Sequence, residues 1–473
     1  MKQAILLFTL LVPATWAGVT WYSSNKTEFM FDNILTQSEY ASDMITSNQK
    51  TSFEKGFFKS TATSEMTVSN QKKSVKIPLK HTIYHGPVMR TPDGLKYGSS
   101  YILTKLDMSK IPSKTKAILT TIFMDNEPFV QGVKTSFGTN IEITQTISPM
   151  YFDETHFSDT SKRSKDALSL RLEDGVHANF TTNLDYSALS GTLNMGKLTL
   201  TGNTDNNSSI EVTLSPSTSH FKMDEIYKGS MLIGEFEWHL PNFKFAQDSN
   251  EVLSTENLVI KTSSTIKNAL FSGDSLLKTD TLMIHSPLVP ETLSKTSVLF
   301  HSKAYDFNAN VLKPAIDAMH AYIATDSVDF DNKNNNTDNH LVFIPDNKQL
   351  DLLLKDLVQT NSGVSQLIEI NTDQGSFKLD FDLHYASQLP IKELTNNEEL
   401  LKALKGSLII KQDKNMLPDT MLEGLLAFPM IAPFITSSEK TLSSKITLEN
   451  GKLTINEQES VSALDFFNLP QSQ

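Results

Sequence analysis

The sequence "SFKLDFDLHY", residues 376–385, alternates strictly between apolar and polar side chains. Its apolar positions are Phe377, Leu379, Phe381, Leu383 and Tyr385. Successive side chains of a strand point to opposite faces, so this period of two predicts a β-strand with one buried and one solvated face. It is the clearest strand signal in the chain and the starting point for the fold prediction.

Similar alternation recurs along the chain, between turn signals. The segment "SEMTVSNQKKSVKIPLKHTI", residues 64–83, predicts a hairpin around "SNQKK". In "GTLNMGKLTLTG", residues 191–202, the apolar phase changes at Gly196, which indicates a bulge or turn. Near the C-terminus Asn450-Gly451 separates two alternating runs, a pair that favours a type I′ turn. We expect Ile446 and Leu448 to pair with Leu453 and Ile455.

The predicted fold class is therefore mainly β within an α+β chain, with a long antiparallel sheet body and a few packing helices. Helical periodicity is seen at residues 27–48, 312–325, 346–361 and 396–404. The apolar segment 417–435 contains Asp419 and Glu423 and is interpreted as a packed helix pair.

The N-terminus carries the strongest targeting signal. Lys2 precedes an uncharged run, and residues 3–22 provide 20 residues, enough for about 30 Å of helix. Trp16, Trp21 and Tyr22 lie near its outer end, as in an interfacial aromatic belt. We favour a membrane anchor; a signal peptide cut after Ala17 is the alternative. With either an anchor or a cleaved signal peptide, we expect the body of the chain to be exported across the membrane.

These signals divide the chain into four parts. Residues 1–22 form the membrane anchor or signal segment and residues 23–50 a juxtamembrane helix. Residues 51–310 form a β-rich body. Residues 311–473 form a mixed helix and strand part that ends in a β-hairpin.

Composition excludes several function classes. The chain has 473 residues and a formal net charge of −12, which argues against a nucleic-acid partner. It has no cysteine, so disulfides, thiol catalysis and cysteine-ligated metals are excluded. No phosphate-binding glycine loop or serine nucleophile elbow occurs. We expect no cofactor.

Three groups of side chains are weighed as sites. His81 and His85 lie on one face of a predicted strand, but about 13 Å of extended chain separates them, too far for one zinc ion. We interpret them as strand residues that enter a corner at Gly86-Pro87. Glu28 is interpreted as an acid in the first turns of a helix, or as a pairing group near the membrane.

The third group is Asp380, Asp382 and His384 on the polar face of the strand at 376–385. Carboxylates at about 6.6 Å steps are compatible with calcium binding or glycoside hydrolysis. The regular apolar partners favour a solvated face instead. We therefore predict no catalytic and no metal-binding residue.

Four motifs in series resemble the YdgA-like family of bacterial envelope proteins, a domain of unknown function (DUF945). They are "WYSSNKTE" at 21–28, "IYHGPV" at 83–88 followed by "DGLKYG", "LVQTNSGVSQLIEI" at 357–370 and "LENGKLTINEQ" at 448–458. Ser24 stands where the family usually has glycine. The motif residues singled out are Trp21, Tyr22, Glu28, His85, Gly86, Pro87, Gly363, Asn450, Gly451 and Asn456.

The resemblance implies a Gram-negative inner-membrane anchor with a periplasmic body, and it implies no activity. We expect a non-catalytic binding or envelope-support protein whose partners are the membrane and an unidentified lipid or protein. The alternatives are a periplasmic hydrolase that uses carboxylates, or a secreted surface protein in contact with a host if the leader is cleaved.

Overall fold

Twenty-six strands and a few helices form the part of the chain that the computed structural model describes. The described residues are 20–21, 23–25, 28–29, 31–32, 35, 45–70, 73–138, 140–154, 168–184, 187–203, 208–227, 231–285, 294–312, 314, 355–394, 396–416, 434–458 and 460–467. They fall into two compact units. The first unit contains residues 1–225 and 243–250, and the second contains residues 226–242 and 251–473.

The first unit is built mainly from strands of 4–13 residues. Its strands are β1 Ile45–Glu54, β2 Lys59–Asn70, β3 Lys73–His85, β4 Val88–Thr91, β5 Gly94–Tyr97, β6 Ser100–Leu106, β7 Phe129–Thr135, β8 Asn140–Ile147, β9 Met150–Asp153, β10 Ser169–Leu172, β11 Val176–Asn183, β12 Leu189–Met195, β13 Leu198–Asn203, β14 Ser209–Leu214 and β15 Ser217–Tyr227. Helix α1 spans Ser113–Ile122 between β6 and β7.

These strands pair in an antiparallel order that largely follows the chain. The order is β1-β2-β3-β6-β7-β8-β11-β12-β15. Strands β4 and β5 form a separate hairpin between β3 and β6. The N-terminal helical residues pack on this sheet, where Phe31 and Leu35 join Ile83, Ile102 and other strand residues in one buried core.

Four long strands of this unit are interrupted at the same level. The breaks fall between β8 and β9, β10 and β11, β12 and β13, and β14 and β15, so that β11 pairs with β12 while β10 pairs with β13. Gly196 lies at one break, where a Cβ atom would come within 1.6 Å of the Glu173 carbonyl oxygen. The interruption predicted at Gly196 is therefore confirmed, and the close backbone approach explains why glycine occupies this position.

The second unit contains one long antiparallel sheet. Its strands are β17 Asn250–Lys267, β18 Leu270–Ile284, β19 Lys295–Asn308, β20 Val358–Thr372, β21 Gly375–Tyr385, β22 Leu404–Asp413, β23 Thr436–Ser437, β24 Thr441–Glu449, β25 Lys452–Ile455 and β26 Val461–Ser462. The pairing order is β17-β18-β19-β20-β21-β22-β24-β25-β26, with β23 added to β24. Strand β16, Met231–Gln247, has residues in both units. Helices α2, Asn397–Ala403, and α3, Ala463–Phe466, complete the second unit.

The mainly β fold class is confirmed, and so are several local predictions. Ile446 pairs with Ile455 and Leu448 with Leu453 across a turn in which Asn450 and Gly451 both have positive φ. The helix predicted at 396–404 is α2, whose N-cap Asn396 accepts a hydrogen bond from the Glu399 amide.

Two helix predictions extend too far. Strand β1 begins at Ile45. It therefore replaces the last part of the helix predicted at 27–48 and of the juxtamembrane helix predicted at 23–50. The helix predicted to end at Asn361 gives way to a strand at Val358. Pairing with distant segments decides both cases, since Ile45 lies opposite Val68 and Val358 opposite Phe307. Local helical periodicity cannot detect such partners.

Other predictions lie outside the described residues. They are the segment 1–22 apart from Thr20 and Trp21, the helix at 312–325 apart from its first residues, the start of the helix at 346–361, and the segment 417–433. In the described part of the chain, no helix combines the length and the apolar character that crossing a bilayer requires. The boundary predicted near residue 310 falls inside the second unit, where β19 and β20 are paired.

Candidate functional site

A row of apolar side chains crosses six neighbouring strands of the second unit. Register pairs join its members directly, strand by strand. We call this the apolar row; its members are Ile260, Leu277, Phe300, Ile368, Leu379 and Ile410. With strands about 4.8 Å apart, the row is about 24 Å long.

The apolar row is only half-buried. Every one of its side chains is intermediate in exposure, as are Phe377, Phe381 and Leu383 beside it. The sequence predicted that the apolar face of β21 is buried, and this is wrong for all of its residues except Tyr385. The face as a whole therefore retains apolar surface in contact with solvent.

Helices α2 and α3 cover one end of this same face. Leu401 of α2 and Leu464 of α3 are buried together with Leu453, and Ile446 and Leu448 pack against them. Ile446 belongs to the row adjoining the apolar row, since it pairs with Leu408. Among the described residues, these helices cover the face at β24 and β25, whereas the side chains of the apolar row stay partly exposed.

The opposite face of the sheet carries a hydrogen-bonded polar cluster. The Tyr305 hydroxyl donates to Asp382 Oδ2 at 2.9 Å, and His384 Nδ1 lies 3.2 Å from Asp382 Oδ1. Burial, and secondarily the bond to Asp382, raises the pKa of Tyr305 to about 12. Asp382 is therefore an acceptor already engaged by two side chains.

The other predicted acid of this face, Asp380, pairs in register with Leu367 and Ile409 rather than with a second acid. Further along the face, Asp274 contacts His301 at 3.0 Å and Lys303 at 3.5 Å. Among the described residues, no cluster of three or more His, Asp or Glu side chains is arranged to hold a metal ion. The arrangement is a set of side-chain hydrogen bonds with one cross-strand ion pair, Lys303–Asp274, and such contacts stabilise a solvated sheet face modestly.

His81 and His85 lie on the buried face of β3 in the first unit, each 2% exposed. His81 is hydrogen-bonded to Ser64 at Nε2 and to Thr104 at Nδ1, both at 2.9 Å. His85 Nε2 lies 2.7 Å from the Ser60 hydroxyl. Hydroxyl groups can both donate and accept, so they satisfy neutral imidazole in either tautomer.

Burial lowers the pKa of both histidines. The pKa of His81 falls to about 4 through desolvation. That of His85 also falls to about 4, through desolvation and then the positive charge of Lys55. Both rings are therefore neutral at pH 7, which agrees with their interpretation as strand residues.

The N-terminal helical residues are held on this sheet by close contacts. The Phe31 ring meets His81 edge-on at 4.7 Å between centroids. Lys50 Nζ donates to Glu28 at 2.8 Å and to Asp32 at 2.9 Å, and these bonds raise the pKa of Lys50.

Thr20 occupies the space beside Gly86. A Cβ atom on Gly86 would lie 2.5 Å from the Thr20 hydroxyl oxygen, and Gly86 has φ of +110°. Only glycine combines that backbone conformation with so close a contact.

Comparison with known proteins identifies the family of this chain. A family model described as a bacterial protein of unknown function (DUF945) matches residues 1–461. The chain belongs to this family. No curated protein and no solved structure shows significant similarity to it.

In this DUF945 protein Thr20, directly before the first sequence motif, contacts Gly86 of the second. Ser24, from the first motif, is buried and donates to the Gly56 carbonyl at 2.9 Å, so a small side chain is needed there. Gly86 and His85, from the second, face the helix and the core. Trp21 is exposed, and Tyr22 lies outside the described residues. Pro87 begins the β4–β5 hairpin, where its carbonyl accepts from the Gly98 amide.

The other two DUF945 motifs lie in the second unit. A Cβ atom on Gly363 would lie 2.6 Å from the Tyr305 ring, so this glycine lets the ring lie across β20 towards Asp382. Asn456 closes the C-terminal hairpin, because its side-chain oxygen accepts from the Lys445 amide at 2.8 Å. These motif positions have structural roles in the described geometry.

Sequence reasoning missed the partners of these residues. Nothing in the sequence linked Thr20 to Gly86, Lys50 to Glu28 or Tyr305 to Gly363. The apolar positions Phe31 and Leu35 at helical spacing were a signal that this helix has a buried face, without showing which strands it meets.

Proposed function

We propose that this DUF945 protein is a non-catalytic factor of the bacterial envelope that binds a lipid acyl chain on the apolar row. The observation that supports this is the uninterrupted row of six apolar side chains, all half-exposed, across paired strands. A continuous apolar row whose side chains keep partial contact with solvent is a candidate binding surface. An acyl chain is the apolar partner whose elongated shape matches a row.

The energetic argument rests on apolar area. Covering exposed aliphatic surface releases about 25 cal/mol for each Å² removed from water. The row has no charged member, so an acyl chain would meet no uncompensated charge on it. Helices α2 and α3 close one end of the face, which sets where a bound chain would stop.

Replacing Ile368 and Leu379 by glutamine is expected to weaken binding of a fluorescent sixteen-carbon fatty acid about tenfold. Two central members of the row would then present polar groups to the chain, at a cost of about 1.4 kcal/mol. The measurement is a fluorescence titration of the full chain in detergent-free vesicles, with mass spectrometry of co-purified lipid.

The matched control is Leu367→Gln with Ile409→Gln. These residues belong to the same sheet and are equally half-buried, but they lie on the opposite face, beside Asp380. The control is expected to bind the probe like the parent chain. Equal loss in both double variants, or no binding by the parent chain, would refute the acyl-chain proposal.

We further propose that the N-terminal apolar segment keeps the protein in the inner membrane with its body in the periplasm. This is supported by the uncharged run at residues 4–22 with Lys2 before it. The mature chain is expected to retain residues 4–17 and to sediment with inner membranes. Mass measurement of the purified protein checks this, and a chain that starts at Gly18 would show instead that the leader is cleaved.

A further inference from the structure

One end of the first unit gathers three connections and the described N-terminal residues Thr20 and Trp21. Strands β1, β2, β3, β6, β7 and β8 are antiparallel neighbours in that order, so alternate connections lie at the same end. Residues 55–58, 86–99 and 136–138 therefore share one end. Thr20 contacts Gly86 there. We call these residues, with Thr20 and Trp21, the loop end.

The loop end displays large apolar side chains to solvent. Its exposed members are Trp21 at 61%, Phe57 at 43%, Phe58 at 55%, Val88 at 40%, Leu95 at 61%, Tyr97 at 65% and Phe137 at 62%. Such a concentration of exposed aromatic and aliphatic groups marks an interaction surface.

The β4–β5 hairpin has one face for the protein and one for solvent. Met89 points inward and is buried with Tyr101 and Leu103. Val88 lies opposite Tyr97, and Arg90 opposite Leu95, so the outer face carries three exposed apolar side chains and one guanidinium. An amphipathic hairpin of this kind can rest on an apolar–polar boundary.

The charge of the loop end opposes that of the whole chain. The described residues of the loop end, taken with the flanking residues Glu54 and Lys59, include four basic and two acidic residues. The basic residues are Lys55, Lys59, Arg90 and Lys96, and the acidic residues are Glu54 and Asp93. Both acids accept hydrogen bonds, Glu54 from Thr61 at 3.3 Å and Asp93 from Tyr101 at 2.9 Å. The local excess of positive charge contrasts with the formal net charge of −12.

We propose that the loop end is a bilayer-contact surface that lies against anionic phospholipid headgroups. Aromatic side chains favour the membrane–water interface, and basic side chains beside them are attracted to anionic lipid. The apolar segment at residues 4–22 includes Thr20 and Trp21 of this end, so the choice of a membrane rather than another protein as the occupant rests on the anchor proposed above. The surface is distinct from the apolar row and does not depend on acyl-chain binding.

The absence of cysteine permits a direct test with single-cysteine variants of the full chain in vesicles. Phe58→Cys and Leu95→Cys, each labelled with an environment-sensitive fluorophore, are expected to emit at shorter wavelength in phosphatidylglycerol vesicles. Spin-labelled lipids should quench them at least threefold more than the controls. Val75→Cys and Met124→Cys are the controls, since they are 59% and 55% exposed and lie at the opposite end of the sheet.

Lys55→Gln combined with Arg90→Gln tests the electrostatic part. This change is expected to reduce the wavelength shift at position 58 by at least half in phosphatidylglycerol vesicles, with little effect in phosphatidylcholine vesicles. The proposal would be overturned if the labels at positions 58 and 95 were as accessible to aqueous iodide as the control labels. A protein partner would then be the occupant of the loop end. Added fatty acid should change none of these signals, which separates this result from the acyl-chain proposal.

Discussion

At pH 5 the first unit is expected to be about 3–4 kcal/mol less stable towards unfolding than at pH 7, because two buried histidines must remain neutral while it is folded. The pKa values of His81 and His85 are both lowered to about 4, against an ordinary value of 6.5. Between these two values the unfolded chain takes up protons that the folded chain cannot. The histidine contribution to stability is therefore nearly constant above about pH 7 and falls as the pH drops towards 4.

The size of the effect follows from the number of protons. Each histidine contributes about 1.4 kcal/mol for each pH unit below its unfolded pKa. Two histidines over about 1.5 units give the expected loss. This is a large share of the 5–15 kcal/mol that typically stabilises a domain. Urea unfolding at pH 7.5, 6.0 and 5.0, with proteolytic fragments from residues 59–85 identified by mass, measures it for this unit.

His81→Gln separates the histidine effect from general acid sensitivity. Glutamine can hydrogen-bond to Ser64 and Thr104 but does not titrate, so the slope of stability against pH should fall by about half. His220→Gln is the control, since this histidine lies on β15 of the same unit and is exposed. An unchanged slope in His81→Gln would contradict the assignment.

Gly86→Ala is expected to destabilise the first unit by about 3 kcal/mol and to release the N-terminal helix from the sheet. The added Cβ would lie 2.5 Å from the Thr20 hydroxyl oxygen, and φ of +110° is strained for alanine. Faster proteolysis within residues 20–35, together with a lower urea midpoint, is the expected result. Lys50 should lose its bonds to Glu28 and Asp32 at the same time.

Two further variants make this result specific. Gly138→Ala is the matched glycine control at the same end of the sheet, because no atom lies within 4 Å of its added Cβ. Thr20→Ala in the Gly86→Ala background removes the overlap but leaves the φ strain, so it should restore part of the lost stability. If Gly86→Ala were as stable as Gly138→Ala, the contact between Thr20 and Gly86 would not hold the helix.

Sequence reasoning predicted the elements better than the sites. The alternation at 376–385 and the Asn450-Gly451 turn predicted β21 and the C-terminal hairpin with its register, because both depend on residues close in the chain. The helix prediction at 27–48 was too long at its end, because β1 exists only through pairing with β2. The interpretation of His81 and His85 needed only the distance along a strand, and their burial agrees with it.

By itself, the sequence determined that alternate side chains of β21 take opposite faces, that the turn at Asn450-Gly451 has positive φ and that an uncharged segment lies at residues 4–22. Only the tertiary structure decided which strands are neighbours and in what register. That choice aligned Phe300, Ile368 and Leu379 into the apolar row, set Tyr305 across Gly363 and brought Thr20 against Gly86. The physical reason is that alternation specifies the two faces of a strand, whereas contacts between strands far apart in sequence depend on register and chain closure, which no local pattern encodes.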